Sequence, residues 1–222
     1  MKNITSDFIK KQIICAGKSF GTYELAYLAL TSKIERPFVD RLAYCAFKSL
    51  RRDDLDIGIA REWGVSGKGR ADLAILHRDE PEKPMCIVEV KAMASFDCVR
   101  PMLNQQREYP ERLQKDLDRY SKIKLPSTEI YSLLLATHPL NKVPDRKEVI
   151  KYIDGFNKAF DVHTCADTIR HLAEKNLFRD IRRAELCESG VLHGGTAYGV
   201  RVELLWWLFG PFAAGRKIKL LK

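Results

Sequence analysis

The chain has no cysteine pair spaced C-x-x-C, no apolar run of membrane length, no internal repeat and no tract rich in Gly, Ser or Pro. Each absence excludes something. Without C-x-x-C, neither a zinc knuckle nor a thioredoxin-type redox motif is available. The six cysteines, at 15, 45, 86, 98, 165 and 187, then read as small core residues where they fall in IICAG, LAYCAF and MCIVEV. That usage suits a reducing compartment. The longest apolar run, Leu204 to Ala214, has 11 residues and contains Gly-Pro. It falls short of the roughly 20 that a membrane helix needs. The N-terminal MKNITSDFIKKQ lacks the apolar centre of a secretory signal. The expectation is a cytoplasmic protein with no membrane association. No linker divides the 222 residues, so a single domain is expected over 1–222. Its parts are a helical N-terminal stretch (1–55), a core (56–140) and a helical and strand C-terminal stretch (141–222).

What is present is positive charge. Lys and Arg number 38 against 29 Asp and Glu, a net charge of +9. A folded chain of this balance favours a polyanionic partner, nucleic acid before an acidic membrane surface.

Hydrophobic periodicity gives the element order. Residues 4–15 carry apolar side chains at Ile4, Phe8, Ile9, Ile13 and Ile14. A second helical run follows Thr22, and a third follows Glu35 with Phe38, Leu42, Cys45, Ala46 and Leu50 in step. The period then changes. DIGIARE (56–62), ADLAIL (71–76) and MCIVEVKAM (85–93) read as strands separated by turns. Pro101 to Lys122 is polar and helical. EIYSLLLATH (129–138) is apolar throughout and predicts a central strand. Weaker helical patterns span 145–160 and 165–187, and AYGVRVELLWWLF (197–209) reads as a last strand. The pattern predicts a mixed α/β (α+β) fold, a central mixed sheet of four to five strands flanked by helices.

The informative positions are charges inside apolar strands. Side chains alternate along CIVEVKAM, so Cys86, Val88 and Val90 share one face while Ile87, Glu89 and Lys91 share the other. Asp72 interrupts ADLAIL in the same way. Burying such charges costs several kcal/mol unless they pair or bind an ion. Two explanations stand: an ion pair that ties two strands together, or a functional site. Only a turn separates the two strands, so they should form an antiparallel hairpin. Carboxylates on neighbouring strands can hold a hard divalent cation. Such an ion acidifies water and neutralises charge on a phosphate oxygen, and a lysine beside it can orient or help deprotonate the attacking water. The set suits phosphodiester hydrolysis.

The string Gly-Arg-Ala-Asp72-Leu-Ala-Ile-Leu, a turn, then Ile-Val-Glu89-Val-Lys91 resembles the PD-(D/E)xK signature of restriction-endonuclease-like nucleases. The likeness is tight over 69–93 and loose over 35–137. Ala71 stands where the signature has proline. The resemblance implies Asp72 and Glu89 as metal ligands, Lys91 as the catalytic lysine, and Mg²⁺ as the cofactor, with Mn²⁺ substituting. It further implies an acid from the preceding helix: Glu35 first, with Asp40 and Glu24 as alternatives. On the helix after the motif, Gln105, Gln106 and the Lys115-Asp116 pair are implied, with Gln106 or Lys115 facing substrate phosphate. The implied activity is a metal-dependent nuclease, a DNA endonuclease before an RNA one. An inactive nucleic-acid-binding module on the same fold is the alternative. A homodimer would suit double-strand cutting.

Other features carry less. Lys68 and Arg70 lie in the glycine-rich turn before Asp72, where they could hold backbone phosphate. Arg179, Arg182 and Arg183 follow helical spacing and form a second candidate stripe. Any one basic cluster also reads as a plain solvated face. His163, Cys165 and His171 do not complete a zinc set. His138 reads as a strand cap or core residue, and HGGTAYG (193–199) as a turn. Trp206 and Trp207 should face opposite sides of their strand, one in the core and one free to stack on a base or a partner subunit.

Overall fold

The structure is a computed structural model, and it describes residues 4–52, 57–64, 69–77, 79–99, 108–121, 125, 128–160, 165–176 and 186–213. Three helices open the chain. In α1 (Ser6–Lys18), Ile9, Gln12, Ile13 and Ala16 recur at helical steps and bury one face, and Thr5 Oγ1 caps the first turn by accepting from Phe8 N at 3.3 Å. α2 (Glu24–Thr31) and α3 (Glu35–Arg52) follow. Next come the strands β1 (Ile57–Gly64), β2 (Arg70–His77) and β3 (Pro84–Ala94), then the short α4 (Phe96–Val99) and α5 (Glu108–Ser121). The chain continues through β4 (Glu129–Pro139), α6 (Ile153–Phe160), α7 (Ala166–Asn176), β5 (Leu186–Ala197) and β6 (Val200–Phe212).

The strands form one mixed sheet in the order β1-β2-β3-β4-β6-β5. β3 and β4 are parallel and α5 lies in the connection between them; the other neighbours are antiparallel. Two cores cover the two faces. One joins α1, α2, α3 and α6 to Val88, Val90, Leu133, Leu135 and Trp206. The other joins α5 and α7 to Ile87, Leu134 and Trp207. β4 is central and buried along nearly its whole length, as its unbroken apolar run requires.

Among the described residues the sheet has six strands rather than four to five. The extra one is β5, drawn from residues that read as the end of a helix and a glycine-rich turn. Its sequence, LCESGVLHGGTA, lacks regular alternation because it is an edge strand whose glycines permit close approaches. Gly195 has φ +83°, and a Cβ there would stand 2.2 Å from Thr22 O in the turn before α2. The turn is Tyr198-Gly199. The helical pattern at 145–160 shrinks to α6; that at 165–187 holds α7, gives Leu186 and Cys187 to β5, and otherwise includes 177–185, which lie outside the described residues. Trp206 and Trp207 do face opposite sides, but both are buried, one in each core, so neither is free to stack on a base.

Cys86 and Cys98 are buried thiols, as their apolar settings suggest. Cys15 and Cys45 are not: they are joined as a disulfide that ties α1 to α3. The expected count in the laboratory follows. Denatured without reductant, the oxidised protein takes up four alkyl groups, and reduction raises that to six, read by intact mass. Six without reductant would remove the bridge.

Candidate active site

β2 and β3 pair from Leu76↔Pro84 to Leu73↔Val88, and then they part. β3 continues to Ala94 with β4 on its other side, leaving amide groups along the edge that β2 has abandoned. Buried amides need acceptors. Carboxylates supply them in sequence: Val90 N donates to Asp72 Oδ2 at 2.7 Å, Ala92 N to Glu35 Oε2 at 3.2 Å, and Ala94 N to Asp97 Oδ2 at 3.3 Å. Thus Asp72 from β2 and Glu35 from the first turn of α3 are fixed side by side against β3.

The alternation of β3 sends Glu89 and Lys91 toward α5, as the sequence predicts. There they meet Asp116, Arg119 and Tyr120. Lys91 Nζ lies 3.3 Å from Glu89 Oε2, 3.1 Å from Asp116 Oδ2 and 3.8 Å from Asp72 Oδ2. Arg119 Nη2 and the Tyr120 hydroxyl both donate to Glu89 Oε1, and Arg119 Nη2 is 3.4 Å from Asp116 Oδ1. Glu89 is 2% exposed, whereas the Asp72 side chain is 28% exposed and forms the open side of the cluster. Four acids (Glu35, Asp72, Glu89 and Asp116) face two cations (Lys91 and Arg119). When all are ionised, two negative charges remain.

That imbalance moves the titrations. Burial, then Asp116 and Asp72, push the Glu89 carboxyl up to about 7. Burial, and then Asp72, also raise Glu35. Burial works against the Lys91 ammonium, but Glu89, Asp116 and Asp72 outweigh it and hold its pKa above the ordinary value. With these partners and no bound ion, Lys91 is held as a charged donor that can orient water or phosphate.

The shift of Glu89 has a measurable sign. Its folded pKa exceeds the unfolded one, so its contribution is intact below the unfolded value and is lost as pH rises through about 7. In EDTA, the unfolding free energy of the wild type should fall between pH 5 and pH 8 relative to Glu89→Gln, followed by urea titration. Parallel pH profiles would show that Glu89 does not titrate there.

The other candidates fare differently. Asp40 is exposed and pairs with Arg61, while Glu24 binds Arg41 and accepts from Gly21 N. Neither joins the cluster, so Glu35 alone of the three helix acids does. Arg70 is exposed and paired with Glu62 at 2.7 Å. Lys115 is exposed on α5. Lys68, Gln105, Gln106, Arg179, Arg182 and Arg183 lie outside the described residues. His138 is buried against Ser95 Oγ at 3.0 Å, a core residue as read.

Arg119 and Tyr120 were the residues that sequence reasoning missed; Asp116 was named with Lys115 on this helix, but the phosphate-facing role went to Gln106 or Lys115. A signal favoured Asp116: Tyr109, Leu113, Leu117 and Tyr120 set the buried stripe of α5, and Asp116 falls within it while Lys115 does not.

Oxygen donors and an excess of negative charge suit a hard divalent cation. The fit has a restriction. Among the described residues no three Asp, Glu, His or Cys side chains are grouped as metal ligands. Arg119, Tyr120 and Lys91 occupy the oxygens of Glu89, so Asp72 is the more accessible of the two oxygen donors. No protein-family model, curated protein or solved structure matches the chain. Among the described residues no helix is long and apolar enough to cross a membrane.

Proposed function

We propose that the chain is a metal-dependent nuclease that hydrolyses phosphodiester bonds, with DNA as its first substrate. The observation that carries this reading is the meeting of Asp72, Glu89 and Lys91 around one ammonium, within 3.8 Å, at the open end of a β-hairpin. The order α3-β1-β2-β3-α5-β4, with the one-turn α4 between β3 and α5, supports it, because the resemblance extends loosely over the elements of 35–137. The net charge of +9 suits a polyanion.

Asp72, with Glu89, would hold Mg²⁺ or Mn²⁺, and Glu35 stands beside Asp72 as a further acid. A bound divalent ion supplies charge neutralisation at a phosphate oxygen and acidifies water. The chain's own groups do the rest. Lys91, charged and with three donors, orients the attacking water or a phosphate oxygen. Arg119 exchanges Glu89 for the incoming phosphate, which its planar donor fork matches well. Asp116 then remains as the partner of Lys91 and keeps it in place.

Incubation of supercoiled plasmid with and without Mg²⁺ tests the reading. Nicking that requires the ion and is lost in Asp72→Asn supports it; cleavage in EDTA removes it. A second reading is favoured by the sealing of Glu89 behind Arg119 and Tyr120: a nucleic-acid-binding module that keeps the charges without turnover. Retarded but uncut DNA in a gel would select it.

A further inference from the structure

Next to the site, and sharing Lys91 and Ala92 with it, is a cavity of about 280 Å³. It sits between the two cores at the same open edge of β3, with Leu134 and Phe156 at buried positions and Tyr152 in the wall, 53% exposed. Its size is close to the lower end of ligand pockets, roughly 300–1,000 Å³. Its walls are aromatic in a particular way. Phe96 meets Phe156 edge-on at 5.4 Å between ring centroids, and Tyr152 at 6.3 Å. Two exposed cations, Lys33 before α3 and Arg112 on α5, also line it.

Two backbone features maintain these walls. Gly155 lies inside α6, where glycine weakens a helix. A Cβ there would lie 2.5 Å from Phe96 Cε1, so the bare backbone is what gives the ring its place. Tyr152 has φ +62°, a left-handed conformation that is unfavourable for a bulky side chain. Such strain persists where the surroundings hold it, and ligand clamps are a common setting.

We propose that this cavity takes an unpaired nucleobase of the substrate strand, stacked on Tyr152 with its edge toward Phe96, while Lys33 and Arg112 hold the adjoining phosphate. The proposal rests on the nuclease reading and narrows it. A base within a regular duplex is stacked and paired and cannot enter without being extruded, so the preferred substrate is single-stranded, flapped or gapped near the cut. The shared chemistry, an aromatic base carrying phosphate, also fits a free mononucleotide, and the test separates the two.

The experiment is equilibrium binding in EDTA of a short single-stranded oligonucleotide containing the fluorescent base aminopurine, of the same strand in a duplex, and of the free aminopurine mononucleotide. The single strand should be quenched on binding and the duplex should not. Tyr152→Ala, a mostly exposed position that leaves the cores intact, should weaken single-strand binding by roughly tenfold or more and abolish the quench. Gly155→Ala, which displaces the Phe96 ring, should also diminish the quench. Equal binding of single strand and duplex without quenching, or an unaffected Tyr152→Ala, overturns the proposal. So does a mononucleotide that binds as tightly as the strand. Quenching without any Mg²⁺-dependent cleavage would instead remove the nuclease reading alone. Duplex cleavage that is indifferent to Tyr152→Ala, with no quench, would remove the base pocket alone.

Discussion

Lys91→Ala should lower Mg²⁺-dependent plasmid nicking by about 10²–10⁴-fold, the range for loss of a positioned proton-handling or charge-stabilising group. The effect is large because this ammonium touches three carboxylates at once, so no neighbour can take over its position. Its raised pKa in the ion-free chain makes positive charge the property to test first. Lys91→Arg, which keeps the charge, should retain more activity than Lys91→Ala. Circular dichroism and oligonucleotide binding in EDTA separate lost chemistry from lost fold. Undiminished nicking by Lys91→Ala would end the nuclease reading.

The second large effect belongs to Arg119. Arg119→Ala leaves Glu89, 2% exposed, with Lys91 and the Tyr120 hydroxyl as its remaining partners. Breaking a buried pair costs about 3–5 kcal/mol, and the partial exposure of Arg119 brings the expectation to about 2–4 kcal/mol in EDTA at pH 8. The loss should shrink at pH 5, where Glu89 is protonated and needs no counter-charge. It should also shrink when millimolar Mg²⁺ is added, because an ion bound to the folded chain alone stabilises it by mass action. The wild type, whose Glu89 is held by Arg119, should gain less from the same addition. A penalty that is equal at both pH values and indifferent to Mg²⁺ would make Arg119 a packing residue.

These two residues differ in how far the sequence exposes them. Lys91 is legible: an acid and a lysine two apart in an apolar strand must share a face, because strand side chains alternate. Asp72 is legible for the same reason, since a short turn forces the hairpin that brings it near. Glu35 was one of three helix acids, and sequence could not separate it from Glu24 and Asp40. The separation came from where the first turn of α3 meets the β3 edge, a docking between elements far apart in the chain. Arg119 gave no signal at all. It reads as one of several charges on a polar helix, and only the packing of α5 across the sheet turns it toward Glu89.

β5 shows the same limit in the fold. A strand with alternating apolar residues announces itself, but an edge strand built from Gly, Ser and Glu is defined by pairing with β6 and by close passage over α2. Cys15 and Cys45 likewise sit in ordinary helical core patterns, and their bond exists because α1 and α3 cross there. The sequence by itself determined the local periods, the mixed helix and strand order, and the alternation that aims Glu89 and Lys91 at one side. The tertiary structure decided which distant charges meet them, how many strands the sheet has and where the aromatic cavity opens. Periodicity is a property of neighbours along the chain, whereas charge pairing and cavities depend on surfaces that meet only after the elements have docked.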